Sequence, residues 1–324
     1  MMRLLSGTLM VAGAAIVALA ANSAFQPAEA PYEFRMSHAS PDALPDLKPP
    51  GVELAQLERL EWKTPGARTA VATAIVMRDA DGRLVPLDWQ NAVTEPVFFS
   101  DMCAAETSKV LTAIREHVPS DAVVLSWWDL SRRIRSVAQR QAPLDDPLAR
   151  GLLTPAAWSS GDFASDRQRT LWGAGVPVGD GDVFAKFIDA LLLDEERGAA
   201  VLTEISGGKT AYVAVHLSDI SKAAAVRPDI VSIAYRDFPS AGHSHSVMKT
   251  VRQWMQEEKI EGAYAVEPMG NALRLHYLLR KSNSDLLLTR LLPFSTSNPL
   301  RLDHLQLVYQ HKGYWIYKLG PAKA

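Results

Sequence analysis

The feature that most constrains this chain is a change of period within residues 121–138. Val123, Val124 and Leu125 form a short apolar run after Pro119-Ser120, the pattern of a buried parallel strand. Leu130, Ile134, Val137 and Ala138 then recur at i, i+4, i+7 and i+8, which is one face of a helix. The switch places Trp127, Trp128 and Asp129 at the carboxyl end of a strand and the mouth of a helix. Open α/β sheets bind ligands at such junctions. Asp129 is expected as the helix N-cap. Arg132 and Arg133 follow where the helix dipole disfavours cations, so they call for an anion, either Asp129 or a ligand. Trp127, Trp128, Asp129, Arg132 and Arg133 are therefore the candidate ligand site. The competing reading makes the tryptophans core and the arginines a solvated face.

The rest of the chain repeats this alternation. Residues 70–77 read as a strand with a turn at Asp79-Ala80-Asp81-Gly82, and 101–117 as a helix ended by Pro119. Asp182 is expected to cap an amphipathic helix built on Phe184, Phe187, Ile188 and Leu191 and closed by Gly198. Strands are expected at 212–215, 230–234 and 263–266, with helices starting near Ser218 or Asp219, over 244–258, and at 273–279. Leu305–His311 and Tyr314–Leu319 read as a hairpin across Lys312-Gly313. Residues 143–181, rich in Pro, Gly, Ser and Asp, are expected to be irregular. Such alternation predicts an α/β fold, with a parallel or mixed sheet covered by helices on both faces.

The first residues are of another kind. Arg3 is followed by an apolar run over 4–21, broken only by Ser6, Gly7, Thr8 and Gly13. That is near the roughly 20 residues needed to span hydrocarbon. It is read as an uncleaved signal anchor over 1–22, with a cleaved signal peptide as the alternative. Either one sends the remainder across a membrane. Prolines 27, 31, 41, 45, 49 and 50 mark an extended linker over 23–53. The globular α/β domain is then expected over 54–319, with a short tail at 320–324.

Composition excludes several functions. With 34 basic residues, 36 acidic residues, a net charge of −2 and no long basic run, nucleic acid is not an expected partner. Cys103 is the single cysteine, which rules out an internal disulfide, a Cys-x-x-Cys metal knuckle and a covalent c-type haem site. Its expected state is buried and inert. There is no Gly-x-Ser-x-Gly elbow, and no phosphate-loop or dinucleotide fingerprint. His243 and His245, after the turn composition Pro239-Ser240-Ala241-Gly242, could share a divalent metal such as Zn, Cu or Ni, with a third ligand from His216, His276 or Asp237. The competing reading has one histidine capping the helix and the other exposed.

Two resemblances rest on these motifs. Val-Leu-Ser-Trp-Trp-Asp at 124–129, with Leu144-Asp145-Asp146 beyond it, is similar to the Trp-Trp-Asp segment in the soluble domain of oligosaccharyltransferase catalytic subunits. It departs at Leu130-Ser131, where that family has Tyr-Gly, so a related soluble fold and a peptide- or glycan-binding module are what it implies. The second resemblance covers nearly the whole chain. The N-terminal run, Trp-Trp-Asp-x-Ser-Arg-Arg, Gly-His-Ser-His at 242–245, Ser-Asn-Pro-Leu-Arg-Leu-Asp-His-Leu at 297–305 and Val-Tyr-Gln-His-Lys-Gly-Tyr-Trp at 308–315 together resemble the hydroxylamine oxidation protein B family. This resemblance implies a periplasmic accessory protein, held at the inner membrane through residues 4–21, whose partner is a multihaem hydroxylamine oxidoreductase. It supplies no catalytic residues.

Overall fold

In the computed structural model, residues 32–40, 42, 44, 57–146, 150–154, 162–173, 182–239, 244–269 and 272–320 are described. The expected anchor at 1–22 lies outside them. Among the described residues no helix is long and apolar enough to cross a membrane.

Three sheets replace the single sheet expected. The first is an antiparallel meander of β1 (Glu33–His38), β2 (Glu58–Lys63), β3 (Ala72–Arg78) and β4 (Leu84–Asn91). Its tight β3–β4 turn falls where the sequence put it. Gly82 sits at φ +79°, and Asp79 Oδ1 accepts from the amides of Asp81 and Arg83 at 3.0 and 2.8 Å. β1 lies inside the segment expected to be linker, pairing with β2 from Glu33↔Lys63 to His38↔Glu58. Proline-rich flanks concealed a strand whose stability comes from its neighbour.

The second sheet runs β10 (Leu305–His311), β11 (Tyr314–Leu319), β6 (Ala211–His216), β5 (Val123–Ser126). Only β5 and β6 are parallel. A parallel pair needs a long crossover, and residues 127–210 provide it. Alternate side chains part to the two faces. Val124, Ala214 and Ile316 pack with Val110, Leu111 and Ile114 of α1 (Ala104–His117). Val213, Val215 and Tyr317 pack with α4 (Val183–Leu191), α5 (Glu195–Ile205) and α8 (Leu287–Leu291). The mixed sheet with helices on both faces is thus present, though antiparallel pairing dominates the molecule.

The third sheet, β7 (Ile233–Pro239), β9 (Ala272–Leu278), β8 (Tyr264–Met269), is antiparallel, and α7 (Ser244–Glu257) covers one face. β9 corrects the helix expected at 273–279. Leu273, Leu275 and Tyr277 alternate with Arg274 and His276, which is a period of two.

Three further expectations change. Within the stretch expected to be irregular, α3 spans Asp162–Trp172. Gly198 lies inside α5 rather than closing α4; α4 stops at Leu191, and Asp194 caps the new helix by accepting from the Arg197 amide at 3.0 Å. Asp182 does cap α4, accepting from the Ala185 amide at 3.0 Å. After β5, α2 covers Trp128–Arg133 and continues as a π-turn over Ile134–Ala138, ending at Gln139 with φ +54°. Trp127, not Asp129, stands at the N-cap, and it offers no side-chain bond.

Candidate functional site

α2 delivers all five expected site residues into the interior, each exposed by 2% or less. Three of them pack. Trp127 meets Phe184 edge-on at 5.4 Å, and Trp128 meets Trp172 at 5.6 Å while its Nε1 donates to the Arg150 carbonyl. Arg132 lies 5.0 Å from the Trp128 ring and donates to three carbonyls, those of Asp145 and Leu84 at 2.8 Å and Trp172 at 2.5 Å. Burial and then the charge of Arg83 push its pKa down to about 10, which leaves it cationic at neutral pH. The strand–helix mouth is closed from within by β4 and the end of α3.

Asp129 and Arg133 belong to a buried ion network that also takes Asp219 and Lys222 from α6 (Asp219–Val226). Arg133 Nη2 meets Asp129 Oδ2 at 2.6 Å. Lys222 Nζ bridges Asp129 Oδ1 at 3.0 Å and Asp219 Oδ1 at 2.9 Å. The remaining Asp219 oxygen accepts from the His216 amide at 2.8 Å. Two cations and two anions balance, as buried charge requires. Burial alone would raise Asp129, but Lys222 and Arg133 outweigh it and hold the carboxyl below its usual range. Burial would lower Lys222, and Asp129 with Asp219 outweigh that to raise it. Asp129 and Lys222 are thereby both held in their charged forms. Beside them lies a cavity of about 10 Å³, bounded by Phe99, Ser100, Met102, His216 and Tyr314 as well, which is room for about one water.

Tyr314 and His216 close that cavity toward the surface. Tyr314 OH bonds Thr107 Oγ1 at 2.9 Å and accepts from Arg133 at 3.3 Å. The His216 ring packs on Tyr314 at 4.4 Å, with Nδ1 accepting from the Ser218 amide at 3.1 Å. Burial, opposed by Glu267, lowers its pKa. Gly313 permits this approach, because a Cβ there would stand 2.4 Å from His216 Nε2. Outside, an open cleft of about 390 Å³ carries Asp88, Asp101, Glu106 and Glu267 around the same His216 and Tyr314. Cys103, expected to be buried, is exposed on its rim at the N-cap of α1.

His243 lies outside the described residues, and His245 is in α7 with its side chain outside them. Of the expected third ligands, Asp237 is engaged by Arg274 and His276 by Glu267, while His216 sits at the end of β6. Among the described residues no three His, Cys, Asp or Glu side chains group as a metal site. Lys222, Asp219, Tyr314 and Glu267 were missed, and His216 was expected only as a possible metal ligand. Asp219 and Lys222 show only an i, i+3 spacing that any surface helix shows, and the others are brought in from distant strands.

A sequence profile described as "HaoA-associated protein HaoB" matches residues 1–319. The chain belongs to this family. The match takes in the Trp-Trp-Asp helix, both core faces of the mixed sheet and the terminal hairpin of the HaoB fold described above. No curated protein matches the chain. Among solved structures, the C-terminal globular domain of oligosaccharyltransferase from Archaeoglobus fulgidus is similar over 68% of this chain and 99% of that one, at 14% identity and a TM-score of 0.33. A likeness that slight carries no argument about this member of the HaoB family.

Proposed function

We propose that this chain is a periplasmic, membrane-tethered accessory protein of hydroxylamine oxidation that docks on, assembles or supplies a multihaem hydroxylamine oxidoreductase. The observation that carries the reading is the family match over residues 1–319, with its printed association to HaoA. The apolar run over 4–21 behind Arg3 supports the tether. A lone cysteine supports a protein without covalent c-type haem, for which the haem chemistry is the partner's. The ion network favours a structural part for the Trp-Trp-Asp helix, because every charge in it is matched and only about 10 Å³ is left beside it.

The test is affinity capture of the tagged full chain from native membranes, with haem absorbance and metal analysis on the same eluate. Co-purification of a multihaem oxidoreductase that resists a moderate salt wash is expected. Membrane extracts that yield the chain free of haem protein would overturn the proposal.

A further inference from the structure

β1 shortens the tether that the sequence offers. Prolines mark residues 23–53 as linker, yet Glu33–His38 is taken into the first sheet, paired with β2 from Glu33↔Lys63 onward. Just before it, Tyr32 is fully buried. Its ring meets Phe98 edge-on at 5.2 Å, and its OH accepts from Gln168 Nε2 at 2.7 Å. The chain is thus fastened to the globular part at Tyr32. Only residues 23–31 remain between that point and the expected anchor. At roughly 3.3–3.6 Å per residue they reach about 30 Å at full extension, where a linker over 23–53 would reach about 100 Å. A globular unit the length of residues 32–320 is roughly 50 Å across. The tether is shorter than the body it holds.

The register shows which end of the first sheet is held. Glu33 stands beside Lys63, Trp62 beside Ala72, and Ala72 beside Asn91. The loops over 64–71 and 92–96 therefore leave from the same end as Tyr32. The Ala92 amide donates to the Val71 carbonyl at 2.9 Å, which joins the two loops, and residues 65–69 and 92–95 are exposed. The β3–β4 turn at Asp79-Ala80-Asp81-Gly82 stands at the opposite end, beyond the length of β3, which is roughly 20 Å at the rise of an extended strand. Lys63, Arg68 and Arg167 are mixed with Glu33, Glu95 and Asp101 around the held end. With both signs present, the tether rather than lipid charge sets how this end lies.

We propose that the Tyr32 end of the first sheet, with the loops over 64–71 and 92–96, faces the lipid headgroups of the membrane that holds the anchor. The β3–β4 turn then points away from the bilayer. This orientation rests on the tether reading above. Energy transfer from a dye on the full chain to a headgroup-labelled lipid tests it, in vesicles of phosphatidylethanolamine and phosphatidylglycerol. The dye is placed on Ala67→Cys or on Ala80→Cys, each in a Cys103→Ser background. Transfer from position 67 is expected to exceed that from position 80. An insert of about 30 Gly and Ser residues after Ala30 lets the body turn freely, and the difference is expected to be lost. Chain that floats with the vesicles yet transfers equally from both positions overturns the orientation and leaves the tether standing. A difference that survives the insert overturns the short tether as its cause. Chain that does not float with the vesicles overturns the tether reading itself, and the orientation with it.

Discussion

At the scale of single residues, the ion network makes opposite demands on its members. Among the described residues, Lys222 is the only cation touching both Asp129 and Asp219. Lys222→Met leaves Asp129 with Arg133 alone and takes from Asp219 its ion-pair partner, and a loss of about 3–5 kcal/mol in urea unfolding is expected. Adding Asp219→Asn recovers part of that loss, since the amide oxygen still accepts from the His216 amide. A loss under about 1 kcal/mol would show the network screened like a surface pair. The pH dependence follows from the shifts. Asp129 is depressed, so its contribution is present above about pH 4 and is lost as pH falls through the folded value. Lys222 is raised, so its contribution is present below about pH 10 and is lost above the folded value. His216 is depressed by burial despite Glu267, so its folded form loses ground once pH falls below about 6.5. His216→Gln is expected to flatten that mildly acidic slope in melting temperature. An unchanged slope would assign it to another group.

At the scale of elements, Arg132 ties α2 to β4 and to the end of α3 through carbonyls. Arg132→Ala orphans three acceptors beside a buried ring, and about 3–5 kcal/mol is expected to be lost. Arg132→Lys restores little, because a point charge cannot reproduce the planar fork. Thermal melts of both variants check this, and full rescue by Lys would refute the fork argument. α4 and α5 meet at Gly198, where a Cβ would lie 2.5 Å from the Ala190 carbonyl oxygen and 2.7 Å from Leu287 Cδ2. Alanine would favour an isolated helix, yet Gly198→Ala is expected to destabilise by about 1–3 kcal/mol through overpacking. Denaturant titration decides the sign.

At the scale of the molecule, one apolar cluster joins the three sheets. It contains Leu60 and Trp62 of the first, Val123 and Val213 of the second, and Ala265 and Leu278 of the third. Trp62 meets Trp89 at 4.7 Å and stacks on Trp172 of α3 at 6.2 Å. Scanning calorimetry is therefore expected to give a single transition with matching calorimetric and van't Hoff enthalpies. Two separated transitions would show a sheet that folds by itself. The smaller cluster of Phe238, Val247, Val251, Met255 and Leu275 under α7 is the place where local opening should begin.

Much of this was legible in the sequence, where local pattern decides. The β3–β4 turn, the Asp182 cap, β5, β6 and the terminal hairpin follow from short-range chemistry: an Asx turn, a side-chain cap, apolar runs, and the turn at Lys312-Gly313, where Lys312 has φ +53°. The change of period at residue 127 located the helix that carries Asp129 and Arg133. What lay beyond local pattern was decided by tertiary contact. β1 exists because β2 pairs with it, and β9 became a strand between two others. Asp129, Lys222, His216 and Glu267 come from four elements, and sequence spacing carries no trace of a charge balance closed across such distances. Burial made the same decision for the tryptophans and for Arg132. A strand–helix mouth is a site only if it stays open, and here β4 and α3 fill it.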